Sequence, residues 1–224
     1  MSITVLTSIT GGKDVLVEGQ EKGNARFIAY TDTKQISRDW ETFPAYNRFS
    51  SARRNSRVPK MLSHQFSDTE YSIWIDGNIQ LNEKPEKLIE KYLKNHDIAV
   101  FKHPVRNCIY AEAMQCAKLR LDDPEVIIAQ VKGYEDAGYA KNKGLCECGF
   151  ILRRHTDEVI RLNNYWFCEY SRHSVRDQIS FMYSVDAVGI RVNVIDIPWT
   201  GSQMEAYKEG ILTIYPHLTA QPEP

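Results

Sequence analysis

Asp76-Gly77-Asn78 follows directly on the apolar run Tyr71-Ser72-Ile73-Trp74-Ile75. A carboxylate and an amide oxygen on either side of a glycine that permits a tight turn are the oxygen ligands a hard divalent cation takes at a strand end. The same three residues also make an ordinary β-turn. Upstream, Arg54, Arg57 and Lys60 recur every three residues and would share one face of a helix. Guanidinium forks match phosphate oxygens and an ammonium adds a point charge, so that face suits a diphosphate, although a solvated helix face has the same pattern. His103-Pro104-Val105-Arg106 follows a further apolar run and would emerge at the edge of the sheet that carries Asp76 if the two strands are parallel. Glu147, just before the run Cys148–Leu152, could accept hydrogen bonds from sugar hydroxyls or be a surface carboxylate. Asp177, in Ser174-Val175-Arg176-Asp177, fits a capping box with Ser174 as the cap; at a helix start it could equally face a substrate as a base or an orienting group.

These residues need a scaffold, and the pattern implies α/β. Short β-branched or apolar runs at 3–7, 26–30, 71–75, 98–101 and 148–152 read as strands, and 190–197 alternates like a late one. Helical patterns lie between them at 85–94, 109–120 and 124–137, after Thr156, and from Ser174 onward. Alternating strands and helices imply a mostly parallel, Rossmann-like sheet flanked by helices. A single domain over 1–218 with a flexible tail at 219–224 is expected.

Composition narrows the function. With 42% hydrophobic and 25% charged residues, the 224-residue chain can bury a full core. A formal net charge of −1 argues against nucleic acid as the main partner, since neutralising phosphates in number needs a surplus of Lys and Arg. The five cysteines show neither paired C-x-x-C spacing nor an even count, and read as reduced thiols. The N-terminus has no basic region followed by an apolar stretch, and nowhere do about 18 apolar residues run together. No signal peptide or spanning helix is therefore expected, and a cytoplasmic location is.

The motifs together resemble a family: the plant and microbial glycosyltransferase-like proteins formerly grouped as domain of unknown function 616. The pieces that carry the resemblance run in order over roughly residues 3–185. They are Val5-Leu6-Thr7-Ser8 with Gly12 and Asp14, Tyr30-Thr31-Asp32, Arg57 with Lys60, and Trp74-Ile75-Asp76-Gly77-Asn78. Lys102-His103-Pro104-Val105-Arg106, Ile151-Leu152-Arg153-Arg154-His155 and Arg176-Asp177-Gln178-Ile179-Ser180-Phe181 complete the set.

The resemblance implies a GT-A fold and transfer of a sugar from a nucleotide-diphosphate donor, a UDP-sugar first of all, to a glycan, lipid or protein acceptor. It implies a D-x-D-like turn in which Asp76 and Asn78 hold manganese or magnesium. It implies donor-site roles for Asp32, Arg57 and Lys60; Thr7 is expected at the same site, with His103 and Arg106 to finish the cradle. Asp177-Gln178 looks like the aspartate–glutamine pair found late in related enzymes, with Asp177 near the transferred sugar; Asp177 and Glu147 are the expected catalytic carboxylates. Asn78 departs from the usual Asp, so the metal would lean more on the donor's phosphates. Two other readings fit the residues: a nucleotidyltransferase, of whose glycine-rich basic loop Thr10-Gly11-Gly12-Lys13 is a faint version, and a binding domain that keeps the fold without turnover.

Overall fold

Strand β1 (Ile3–Ile9) is buried at every position, as is β4 (Tyr71–Ile75), so both read as continuous β-branched and aromatic runs rather than alternating ones. That is the signature of central strands covered on both faces. The computed structural model describes residues 1–201 and 206–218; the tail expected at 219–224 lies outside the described residues.

In chain order, β1 is followed by β2 (Arg26–Thr31), β3 (Glu41–Pro44), α1 (Ala52–Met61), β4, β5 (Ile79–Leu81), α2 (Pro85–Tyr92), β6 (Ile98–Lys102), α3 (Ile109–Lys118) and α4 (Pro124–Asp136). Then come β7 (Cys146–Arg154), α5 (Asp157–Arg172), α6 (Asp177–Val188), β8 (Asn193–Ile195), β9 (Thr200–Gly201), β10 (Ala206–Lys208) and β11 (Leu212–Ile214). The main sheet has seven strands in the order β3-β2-β1-β4-β7-β6-β8. Only β7 runs against its neighbours, β4 and β6. Two reversals restore direction, so β4 and β6 point the same way and their carboxyl ends share one edge, the condition under which His103 emerges at the edge that carries Asp76. This is the mostly parallel, Rossmann-like α/β sheet expected.

Helices α1, α5 and α6 cover one face through a cluster that includes Leu6, Met61, Trp74, Leu162, Trp166 and Phe181. Helix α2 covers the other with Val5, Ile73, Leu88, Ile89 and Leu212. Helices α3 and α4 pack on α6 around Ile109, Ile127 and Ile179. Thr156 caps α5 by accepting from Val159 N, as its position predicts. No helix of the described residues is long and apolar enough to cross a membrane, and all five cysteines are free thiols.

Two local expectations are corrected, and one element was not expected. The helix expected from Ser174 starts at Asp177 and has no side-chain cap; Ser174 Oγ instead donates to Asp122 Oδ2 at 2.7 Å and accepts from Arg176 N. Strand β7 begins at Cys146, so Glu147 lies inside it. A second, antiparallel sheet in the order β5-β11-β10-β9 is formed mostly from residues beyond 199, which carry no periodicity long enough to read.

Candidate active site

The carboxyl end of β4 opens into a cavity of about 300 Å³. Its lining holds Lys13, Arg53, Arg57, Lys60 and Arg176 together with Asp76, Glu147 and Asp177. Five cations face three carboxylates, so the cavity is an electropositive pocket with an internal ion-pair network.

Lys60 is the hub of that network. Ser51 starts α1 by accepting from Arg54 N, and Lys60 reaches the last turn with its side chain 2% exposed. Its Nζ lies 2.5 Å from Asp177 Oδ2 and 3.4 Å from Asp76 Oδ1. Its carbonyl accepts from Arg153 NH1, whose fully buried guanidinium also reaches Ser63 Oγ and is pushed down to about 9 by burial. Arg57 Nε stands 3.4 Å from the same Asp177 oxygen. Burial alone would raise the Asp177 carboxyl, yet Lys60 and then Arg57 hold it far below the usual carboxylate range. Asp76 is also held low, against burial, by Lys60, Arg57 and the Trp74 indole, which donates to Oδ1 at 2.8 Å.

Asp177 is thus at the cavity as expected, but so firmly ionised that it is a poor proton acceptor; its position suits orientation and charge.

The remaining cations point to an anionic ligand. Lys13 is lowered by burial and by repulsion from Arg57 and Arg53; Arg53 by burial, Arg57 and Arg176. Nε of Arg53 and of Arg176 is buried and has no hydrogen-bond partner among the described residues. Crowded cations and unsatisfied guanidinium N–H groups are what a diphosphate would relieve.

The turn fits a divalent cation. Asp76 Oδ1 is taken by Trp74 and Lys60, whereas Oδ2 faces space above Gly149, where an added Cβ would stand 3.5 Å away. Asn78 donates its Nδ2 to Tyr215 O at 2.7 Å, a bond that does not use its side-chain oxygen. Gly77 is needed for close approach, since a Cβ there would come 2.6 Å from Ile9 Cγ1. Among the described residues no three His, Cys, Asp or Glu side chains converge as a metal cluster. Asp76 and Asn78 could therefore hold a cation only with oxygens brought by a ligand.

Glu147 reaches the cavity through a bulge. Val100 pairs with Ile151 but Phe101 with Glu147, so 148–150 are extra residues on β7 relative to β6. Bulges re-aim side chains in this way beside ligand sites. Gln178, beside Asp177, also lines the cavity and donates to Cys146 O.

Other expected site residues lie elsewhere. Asp32 accepts from Gly11 N at 2.7 Å and lines a second cavity of about 420 Å³ with Thr10, Tyr46, Ala52 and Asn55. Thr7 is buried within β1 and lines neither cavity. His103 and Arg106 leave β6 at the right edge but turn to α3, because buried Glu112 needs a counter-ion. Arg106 Nε donates to Glu112 Oε2 at 2.6 Å, and His103 Nδ1 accepts from Val105 N and Arg106 N. Neither lines the main cavity. Arg54 leaves the expected basic face to donate to Tyr170 O and His173 O at the end of α5.

Sequence reasoning named Lys13 only in the nucleotidyltransferase loop and missed Arg53, Arg176, Trp199 and His217 as cavity residues. Arg53 had a signal. At about 100° per residue, positions 54, 57 and 60 drift over about 120°, whereas 53, 57 and 60 stay within about 60°. His217, whose Nδ1 is 2.8 Å from Asp14 Oδ2, ties the C-terminal segment to the loop after β1 and had none.

A family model described as TOD1/MUCI70, glycosyltransferase-like domain, matches residues 31–198. Two relatives from Arabidopsis thaliana are similar. "Probable hexosyltransferase MUCI70" is 33% identical over 175 residues, covering 73% of this chain and 29% of its own. "Alkaline ceramidase TOD1" is 27% identical over 182 residues, covering 75% and 39%. The chain thus spans roughly a third of the length of these relatives. Among solved structures, the apo WbbM bifunctional glycosyltransferase superposes with a TM-score of 0.49 at 11% identity over 87% of this chain and 38% of that one. Apo mouse xyloside xylosyltransferase 1 superposes with a TM-score of 0.45 at 12% identity over 88% and 86%.

Proposed function

The chain belongs to the TOD1/MUCI70 glycosyltransferase-like family, and from that premise we propose that it transfers a sugar from a nucleotide-diphosphate donor, a UDP-sugar first of all, with a divalent cation at Asp76 and Asn78. One observation carries the reading: closely spaced cations surround the carboxylate turn at the carboxyl end of β4, and Lys13 and Arg53 are lowered in part by repulsion from their cationic neighbours. A donor's diphosphate answers that charge and offers the extra oxygens a cation at Asp76 and Asn78 would need.

The residues divide the work. Arg53, Arg57, Arg176 and Lys13 bind the diphosphate and stabilise charge on the departing nucleotide. The second cavity adjoins the first across Ala52 and Arg53 of α1, and we assign it to the nucleoside, with Asp32 for the ribose hydroxyls. Lys60 holds Asp76 and Asp177 ionised and in register, so Asp177 can receive hydroxyls of the donor sugar without taking their protons. Glu147 is the carboxylate left for the acceptor hydroxyl. A manganese or magnesium ion, when bound, adds positive charge on the leaving diphosphate.

The glycine–lysine loop favours a second reading. Gly11 and Gly12 both adopt positive φ and Lys13 lines the cavity, as a nucleotidyltransferase would use them. Incubation with UDP-sugars and manganese separates the two: release of UDP that stops on chelation supports transfer, and pyrophosphate release from UTP with a sugar phosphate supports the second. If neither product forms while UDP still raises Tm, the domain binds without turnover.

A further inference from the structure

Part of the cavity wall is Glu147 of β7 and Trp199, which precedes β9, and both are held by a lysine that belongs to no motif. The Lys208 side chain is fully buried. Its Nζ lies 3.0 Å from Glu147 Oε2 and donates to Ile197 O at 3.1 Å. It also stands 4.3 Å from the ring centroids of both Phe101 and Trp199. The Trp199 indole donates to that same Glu147 oxygen at 2.8 Å. A buried ammonium is tolerated only when paired and hydrogen-bonded; Lys208 has a carboxylate, a carbonyl and two ring faces, so its place is over-determined.

The arrangement has a chemical consequence. Glu147 Oε2 has two donors, whereas Oε1 has none among the described residues. The indole has its N–H bonded and an ammonium against it, and the ring lines the cavity beside the carboxylate. Neither group needs ordering when a ligand arrives, which lowers the cost of binding. An anion is disfavoured here, because Glu147 repels it and the charge of Lys208 is already matched. A neutral ring with an apolar C–H face and hydroxyls on its rim fits both parts: the face on the indole, a hydroxyl to Oε1.

We propose that Trp199 and Glu147 form a saccharide subsite and that Lys208 is its positioning residue, fixing both without touching the ligand. The proposal rests on the reading of the cavity as a sugar-nucleotide site. The ring it holds is the donor's sugar or the acceptor's, and the chemistry is shared.

Acrylamide quenching of tryptophan fluorescence tests it. Trp40, Trp74 and Trp166 are buried, so the accessible signal is that of Trp199, with Trp199→Phe as the control. The probes are UDP, UDP-glucose and UDP-galactose, each with manganese, and free glucose, galactose, cellobiose and lactose. Saccharide-bearing probes are expected to protect Trp199 beyond UDP alone: protection by UDP-sugars only assigns the ring to the donor, and protection by free saccharides assigns it to the acceptor. Lys208→Met should raise quenching without ligand and shift the half-protecting concentration up by about tenfold or more, as for loss of an interface anchor. Lys208→Arg should recover part of this, and the Tm rise with UDP should persist in both. Glu147→Gln, which keeps shape and removes charge, should loosen Trp199 likewise and serves if Lys208→Met does not fold. Protection no greater than with UDP across all probes, or undiminished in Lys208→Met and Glu147→Gln, overturns the proposal. Saccharide protection without any UDP-induced Tm rise leaves the subsite standing and removes the sugar-nucleotide reading instead.

Discussion

Lys60 Nζ stands 2.5 Å from Asp177 Oδ2 and 3.4 Å from Asp76 Oδ1, so one buried ammonium joins the end of β4 to the start of α6. The two carboxylates are about a hundred residues apart in the chain, and the ammonium between them offsets their mutual repulsion.

Lys60→Met should therefore cost stability as well as function. Removing one member of a buried ion pair typically costs about 3–5 kcal/mol, which for a chain of this size is a Tm fall on the order of 10 °C. Adding Asp177→Asn to Lys60→Met should recover part of that loss, because the stranded charge goes with it. Thermal denaturation of the two single variants and the double variant checks this; simple additivity would mean that the pair is not coupled.

Arg53 and Arg54 are adjacent and should behave as opposites. Arg53 is half-buried among like charges, so Arg53→Met should leave the ligand-free Tm unchanged or raise it, while weakening UDP binding by about tenfold, roughly 1.4 kcal/mol. Arg54 satisfies the last carbonyls of α5, so Arg54→Ala should destabilise by about 1–3 kcal/mol with UDP affinity intact. Calorimetric titration beside thermal melts reads both.

Two glycines near Asp76 predict a further contrast. A methyl at Gly149 meets Asp76 Oδ2 at 3.5 Å, an ordinary contact, so Gly149→Ala should fold normally yet lose the additional Tm rise that the proposed cation site predicts for manganese with UDP. A methyl at Gly77 collides with Ile9, so Gly77→Ala should cost about 1–3 kcal/mol before any ligand is added.

His155 imposes a pH dependence on folding. Its Nδ1 donates to Thr69 O at 3.0 Å and its Nε2 accepts from Ser72 Oγ at 2.8 Å, and burial followed by repulsion from Arg153 lowers it to about 4. Between the unfolded value of about 6.5 and about 4, the unfolded chain binds the extra proton. Stability from this group is complete above about pH 6.5 and is lost as pH falls through that window. His155→Gln should flatten the decline in Tm between pH 7 and pH 4; a parallel decline in the variant would place the titration elsewhere.

The strands and helices that carry the site were legible because each is a run with one clear period. Tyr71–Ile75 and Ile98–Phe101 are fully buried strands and nothing competes with that reading. Asp76, Lys60, Arg57, Glu147 and Asp177 do converge, since strand ends and one helix face deliver them to one edge. His103 and Arg106 mislead because sequence shows which edge a loop reaches but not that a buried Glu112 on α3 will draw both inward. Ser174 misleads for a similar reason: Asp122, 52 residues away, takes the hydroxyl that local chemistry assigns to a cap. The strands β9, β10 and β11 were opaque because they are two or three residues long and are held by pairing with one another and, through β11, with β5.

The family match ends at residue 198, yet Trp199, Leu212, Ile214 and His217 help enclose the cavity. The charged shelf and the cover over it are thus encoded in separate stretches of chain. Substitutions in the cover should therefore reshape the opening of the cavity while the ion pairs of the shelf stay in place.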